Sequence, residues 1–160
     1  MSIDKEQFLT QPVEGAFSTS FVPVPENEYL AKIPEGGVGE PEDKLGEKGW
    51  SCWIDLTWGI VDEEKLAAVV AETGKEKPTI RQRLFLDVLR DADGKVTGLD
   101  GGKGKNVGLG QIREAVNQND PRKRWTFKHL EGQIARIRVI HDTYQGRIMA
   151  NVAFMGVTKA

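Results

Sequence analysis

Gln133-Ile134-Ala135-Arg136-Ile137-Arg138-Val139-Ile140 and Arg147-Ile148-Met149-Ala150-Asn151-Val152-Ala153-Phe154 are the two most regular stretches of this 160-residue chain. In the first, Ala135, Ile137 and Val139 alternate with Arg136 and Arg138. Successive strand side chains point to opposite faces, so this pattern predicts a half-buried strand with arginines outside. In the second, Ile148, Ala150, Val152 and Phe154 alternate with Arg147, Met149, Asn151 and Ala153. The link Asp142-Thr143-Tyr144-Gln145-Gly146 is short and polar, and Gly146 is free to take a positive φ. The two stretches therefore read as an antiparallel hairpin whose outer face carries arginines. If the sheet closes on itself, a polyanion would lie on that face.

Working back along the chain, three further strands have the same signature. Thr79 to Val88 puts Ile80, Leu84, Leu86 and Val88 inward and Arg81, Arg83, Phe85 and Asp87 outward. Trp50 to Ile60 sets Trp50, Cys52, Ile54, Leu56 and Trp58 against Ser51, Trp53, Asp55 and Thr57, and Trp53 is a large ring on the polar side. Glu28 to Ile33 alternates Tyr29, Ala31 and Ile33 with Glu28, Leu30 and Lys32. A helical insertion is expected over residues 62–74, with Asp62 at its start, Glu63 and Glu64 in its first turn and Gly74 past its end. Leu109, Ile112 and Val116 recur at helical spacing until Asp120-Pro121 stops them. Asp93-Gly94 signals a tight turn.

Residues 1–27, with Phe21-Val22-Pro23-Val24-Pro25, read as an extended or disordered arm, because proline fixes its own φ and restricts its predecessor. Pro34 to Gly49 holds five Gly, two Pro and seven charged residues and reads as a mobile loop. The expected organisation is thus one domain over residues 28–160. It is mainly β: five antiparallel strands, a helix between the third and fourth, and a short helical insertion between the second and third. That element order is the layout of the OB-fold, a partly open five-stranded barrel.

Composition narrows the function classes. One cysteine, Cys52, forms no intramolecular disulfide, and His129 and His141 give no ligand set for a structural zinc. Absence of a long apolar run predicts no membrane span, and Asp4, Glu6 and Glu14 in a non-hydrophobic start predict no secretory signal, so a cytoplasmic location is expected. The net charge of −2 conceals an asymmetry: residues 1–78 hold 7 Lys/Arg against 16 Asp/Glu, and residues 79–160 hold 15 against 8. Such segregation fits a basic working surface on an acidic remainder, or two halves that interleave on folding into an evenly mixed surface.

Enzymatic motifs fail on spacing. Gly104-Lys105 is followed by Asn106, and a phosphate loop would need glycine where Leu99 stands. Asp91-Ala92-Asp93-Gly94 opens like a calcium loop but has Val96 at the obligatory glycine. Cys52 falls on the inward phase of its strand, and neither histidine has a patterned nucleophile or carboxylate beside it. No catalytic residue, metal or cofactor is assigned.

What remains is rings and cations sharing faces, the requirement for binding single-stranded nucleic acid without regard to base identity. Trp53, Arg81, Arg83 and Phe85 become neighbours if their strands pair. Arg136, Arg138 and Arg147 extend the surface onto the last hairpin, Tyr144 tops its loop, and Lys103, Lys105, Arg122, Lys123 and Arg124 flank it. The competing placement packs Trp53 and Phe85 beneath the insertion helix and leaves the arginines merely solvated. Glu35, Glu40, Glu42, Asp43 and Glu47 in the 34–49 loop would repel phosphate, which favours an alternative in which the chain is a protein-interaction module or virion accessory barrel acting through that loop.

The chain also resembles a family of small phage-encoded single-stranded-DNA-binding proteins of OB-fold type associated with recombination and replication. The likeness rests on Lys105-Asn106-Val107-Gly108-Leu109-Gly110-Gln111-Ile112-Arg113-Glu114-Ala115, on Trp125 with Leu130-Glu131-Gly132, and on Val139 to Val152 with its Tyr144-Gln145-Gly146-Arg147 turn. These are scaffold motifs, covering roughly the C-terminal two fifths. The resemblance implies non-enzymatic binding of single-stranded DNA without a cofactor, in the host cytoplasm. Phage or host recombination and replication proteins are candidate partners, as are further copies of the chain in a homo-oligomer, and the sequence does not set the oligomeric state. The acidic C-terminal tail usual in bacterial single-strand binders is replaced by Val157-Thr158-Lys159-Ala160, so recruitment through such a tail is not expected.

Overall fold

A computed structural model describes residues 2–160. Its elements in chain order are α1 (Lys5–Thr10), β1 (Asn27–Lys32), β2 (Glu42–Gly46), β3 (Gly49–Ile60), α2 (Glu63–Thr73), β4 (Thr79–Leu86), β5 (Val88–Arg90), β6 (Val96–Leu99), α3 (Val107–Ala115), a 3-10 turn (Phe127–Leu130), β7 (Ile134–Tyr144) and β8 (Arg147–Thr158). The protein is mainly β, with one antiparallel sheet of six strands and a separate ribbon of β5 and β6.

The sheet is built around β3. Along one edge it pairs with β4 from Cys52↔Leu86 to Gly59↔Thr79; along the other it meets β2 and then, at its far end, β1. The chain continues β1, β7, β8. Alternation supplies the core: Ile54, Leu56 and Trp58 of β3, Ile80 and Leu84 of β4, Tyr29 and Ala31 of β1, and Ala135, Ile137 and Val139 of β7 are buried together. Leu109 and Ile112 of α3 and Leu130 close one end of this cluster, as their 3.6-residue period requires. The two deep polar tips are satisfied. Trp58 Nε1 donates to Gln82 Oε1 at 2.8 Å, and the Tyr29 hydroxyl donates to the Pro25 carbonyl at 2.7 Å.

Four features differ from the sequence expectation. First, closure into a barrel is not found, because β4 and β8 lie side by side without a hydrogen-bond ladder between them. Second, the 34–49 segment is structured: Val38 bridges to Leu56, and Glu42 to Gly46 pairs with Gly49 to Trp53. Every residue of β2 is exposed, so it carries no alternation to read. Third, the arm contains the short helix α1, capped by Asp4, whose Oδ1 accepts from the Gln7 backbone N–H at 3.1 Å; Val24 is the first buried residue. Fourth, Trp50, Ile148 and Phe154, read as facing inward, are exposed.

The helices end by their local chemistry. Asp62 sits at the start of α2, but its carboxylate accepts from the Leu30 backbone N–H at 3.2 Å instead of capping, which ties α2 to β1. Gly74 takes φ 73° and lets its N–H reach the Val70 carbonyl, terminating the helix. No helix among the described residues is long and apolar enough to cross a membrane.

Trp58 is the largest wholly buried side chain. Trp58→Phe leaves a void and strands the Gln82 amide oxygen, and should cost about 1–3 kcal/mol. Urea denaturation should show this as a lower midpoint at unchanged slope.

Candidate functional site

The register of β3 with β4 decides which outer-face side chains meet. Trp53 stands opposite Phe85, Asp55 opposite Arg83 and Thr57 opposite Arg81. The Trp53 and Phe85 ring centres are 6.2 Å apart at 60°, and the Arg83 guanidinium stacks 4.9 Å from the Trp53 ring. Neither ring is covered by α2. Phe85 is 64 % exposed and Trp53 is half-buried. The Trp53 indole N–H is buried without an acceptor among the described residues, so packing and no hydrogen bond holds that ring.

Asp55 changes the role of the two arginines. Arg83 donates to it twice, from Nε at 3.0 Å and from Nη2 at 3.2 Å, and Arg81 Nη1 lies 4.0 Å from the same carboxylate. Arg83 is therefore committed as the clamp that holds Trp53 in place, and it is not a free cation. Arg81 remains largely exposed. The hydrogen bond from Arg83 holds the Asp55 carboxyl below its ordinary value of 3.8 and raises the guanidinium in turn.

Beside this face, in the unpaired interval between β4 and β8, lies a cleft of about 290 Å³. Arg83, Leu84 and Phe85 line it from β4, Gly108, Gln111 and Ile112 from α3, and Val152, Phe154 and Val157 from β8. Gly108 lets α3 pack closely here: a Cβ would come within 3.1 Å of the Leu84 side chain and 3.4 Å of the Phe154 ring, which would have to shift slightly. Asn106, in the left-handed conformation at the head of α3, locks the glycine-rich segment against β4. Its Oδ1 accepts from the Asp87 N–H at 2.9 Å, and its Nδ2 donates to the Asp87 and Asp100 carbonyls, each at 2.9 Å. Lys103 and Lys105 are exposed and are sequence neighbours of Gly104 and Asn106, which line the cleft.

The remaining predicted residues fall in two groups. Arg136 and Arg138 face outward on β7, where Arg138 donates to Glu28 at 3.0 Å, and both line a second depression that shares Phe154 and Met155 with the first. Tyr144 and Arg147 pair at the exposed tip of the β7–β8 hairpin, remote in sequence register from the cleft. Arg122, Lys123 and Arg124 occupy the turn after α3. Arg122 is paired with Asp120 at 3.2 Å, and these three line neither depression.

Reading the sequence missed Asp55 as the arginine partner, Phe154 as an exposed ring, and Asn106 as the loop lock. It also missed Arg90, which pairs with Asp43 at 2.7 Å and stacks 4.5 Å from Trp50, joining the β5–β6 ribbon to the β2–β3 hairpin. Asp55 already shared the face of Trp53 in the sequence, so the register of β3 with β4 was the one missing step. Burial, with Asp43 nearby, raises the Cys52 thiol, which keeps it protonated and a poor nucleophile. No group of three or more His, Cys, Asp or Glu side chains among the described residues could hold a metal ion. No protein-family model matches the chain, and no curated protein matches it.

Because Asp55 is depressed in the native state, the unfolded chain takes up the proton first as pH falls. The pair stabilises the fold fully above the unfolded carboxyl value and is lost as pH drops through the lower native one. Asp55→Asn should lower the denaturation midpoint at pH 7. It should also flatten the decline in stability below about pH 4 that the unaltered protein shows, measured by denaturant unfolding across pH.

Proposed function

We propose that the protein is a non-enzymatic, sequence-tolerant binder of single-stranded DNA built on an OB-type sheet, with β1, β3, β4, β7 and β8 as the five strands and α3 between the third and fourth. What supports the fold reading is the pairing order: β1 lies between β3 and β7, β4 flanks β3 and β8 flanks β7, which leaves only the β4–β8 seam open. The phage-family likeness of Lys105 to Ala115 favours the same reading, and partners in replication or recombination belong to it.

The observation that carries the function is the exposed Phe85 ring beside an ordered Trp53, on an outer face flanked by cations. Bases have π-faces whatever their identity, and a ring held by a stacked guanidinium loses little freedom on binding. Phosphates would be met by side chains with no carboxylate within 4.0 Å among the described residues, namely Lys103, Lys105 and Arg136, together with the exposed Arg81. Arg83 serves as a positioning residue.

Titration with oligo-dT should quench tryptophan emission. The logarithm of affinity should fall with the logarithm of salt at a slope of roughly −2 to −3 for three or four neutralised phosphates. Phe85→Ala should weaken binding by roughly 1–3 kcal/mol with the fold intact by circular dichroism. A flat titration at low salt would remove this reading. Recovery of a protein partner after nuclease treatment, without DNA affinity, would replace it with the interaction-module alternative.

A further inference from the structure

The last strand is interrupted in a way its neighbours are not. Between Ile137↔Val157 and Val139↔Val152, β7 advances two residues and β8 advances five, a surplus of three opposite Arg138. Met155 takes φ 64°, which a non-glycine side chain adopts only at a cost, and Gly156 approaches so closely that a Cβ would sit 2.8 Å from the Ala153 carbonyl oxygen. The result is that Phe154, whose alternation would otherwise bury it, stands 74 % exposed with Met155 beside it. Bulges re-aim side chains next to functional surfaces. Here the re-aimed ring is the ridge between two depressions, with Phe85 and Arg83 across the first and Arg136 and Arg138 across the second.

We infer that this bulge is a second stacking platform, in which Phe154 carries a nucleobase one or more positions along from the base on Phe85 while Arg136 receives the adjoining phosphate. The inference rests on the single-strand-binding reading and adds a direction to it: the strand crosses from β4 over the open seam to β8 and β7. The chemistry fits, because the ring is flanked by Arg136, which has no carboxylate partner within 4.0 Å among the described residues, while Glu28, the acid lining the same depression, is paired with Arg138 at 3.0 Å.

The test uses the full chain with oligo-dT of two to fifteen nucleotides and a cross-linking oligonucleotide of 5-iododeoxyuridine, which couples under light to rings stacked on it. Phe154→Ala should weaken binding of the longer oligonucleotides by roughly 5- to 100-fold and shorten the occluded site. The cross-link should map to Phe154 by mass spectrometry, and Phe154→Tyr should restore affinity. Wild-type affinity in Phe154→Ala, with Phe85→Ala still impaired, would overturn the second platform and leave the parent reading standing. Weaker binding by Phe154→Ala with no cross-link at position 154 would assign the loss to the fold and overturn it also. No binding by the unaltered protein at low salt would remove both.

Discussion

A single register, β3 against β4, sets both the inside and the outside of this protein. With Ile54 opposite Leu84 and Trp58 opposite Ile80, the inward pairs fill the core. The same ladder then has no choice but to bring Trp53 to Phe85 and Asp55 to Arg83 on the outer face. A slip of one residue would send Trp58 to solvent and Asp55 into the core, so the apolar pattern fixes the register against slippage. The candidate site is in this sense a by-product of hydrophobic burial. Its geometry is as rigid as the core behind it.

The charge asymmetry along the chain is resolved by the same pairing. Acids of the first half meet bases of the second at Asp55 with Arg81 and Arg83, at Asp43 with Arg90 and at Glu28 with Arg138. Interleaving therefore engages four of the fifteen Lys and Arg residues of positions 79–160. Glu28 with Arg138 is the exposed pair and is worth little in stability, whereas Asp43 with Arg90 and Asp55 with Arg83 are partly shielded and also hold side chains in place. Of the cations left over, Arg136 lines the second depression and Lys103 and Lys105 adjoin the first in sequence, whereas Lys123, Arg124 and Arg147 lie along neither.

How much of this could be read from the chain depended on whether a segment is half-buried. Ala135, Ile137 and Val139, or Ile54, Leu56 and Trp58, alternate because one face meets the core, and alternation is the signal of a strand. β2 has no buried face, so Glu42 to Gly46 looks like any charged loop although it is a ladder partner of β3. The open seam was equally invisible, since closure is a property of two strands distant in sequence. Phe154 is the most instructive case. Its position in the period says inward, and only the backbone turn at Met155, one residue later, reverses it. Among the site residues, local alternation placed Trp53, Arg81, Arg83 and Phe85 on outward faces. It could not show that Arg83 was already taken by Asp55, because cross-strand partners depend on register.

If single-stranded DNA lies over this face as proposed, the acidic hairpin would bear on its direction and need not be an obstacle. Glu42 stands opposite Trp53, so a carboxylate lies on the β2 side of the aromatic pair, while Arg136 lies across the seam beside β8, and Lys103 and Lys105 belong to the segment that Asn106 ties to the end of β4. A polyanion over Phe85 would be pushed away from β2 and drawn across the seam, since potentials of opposite sign at the two ends of a groove orient whatever charged chain enters it. On the proposed reading the field and the bulge would favour the same path by independent means: one by repelling phosphate from the hairpin, the other by offering a ring on the far side of the seam.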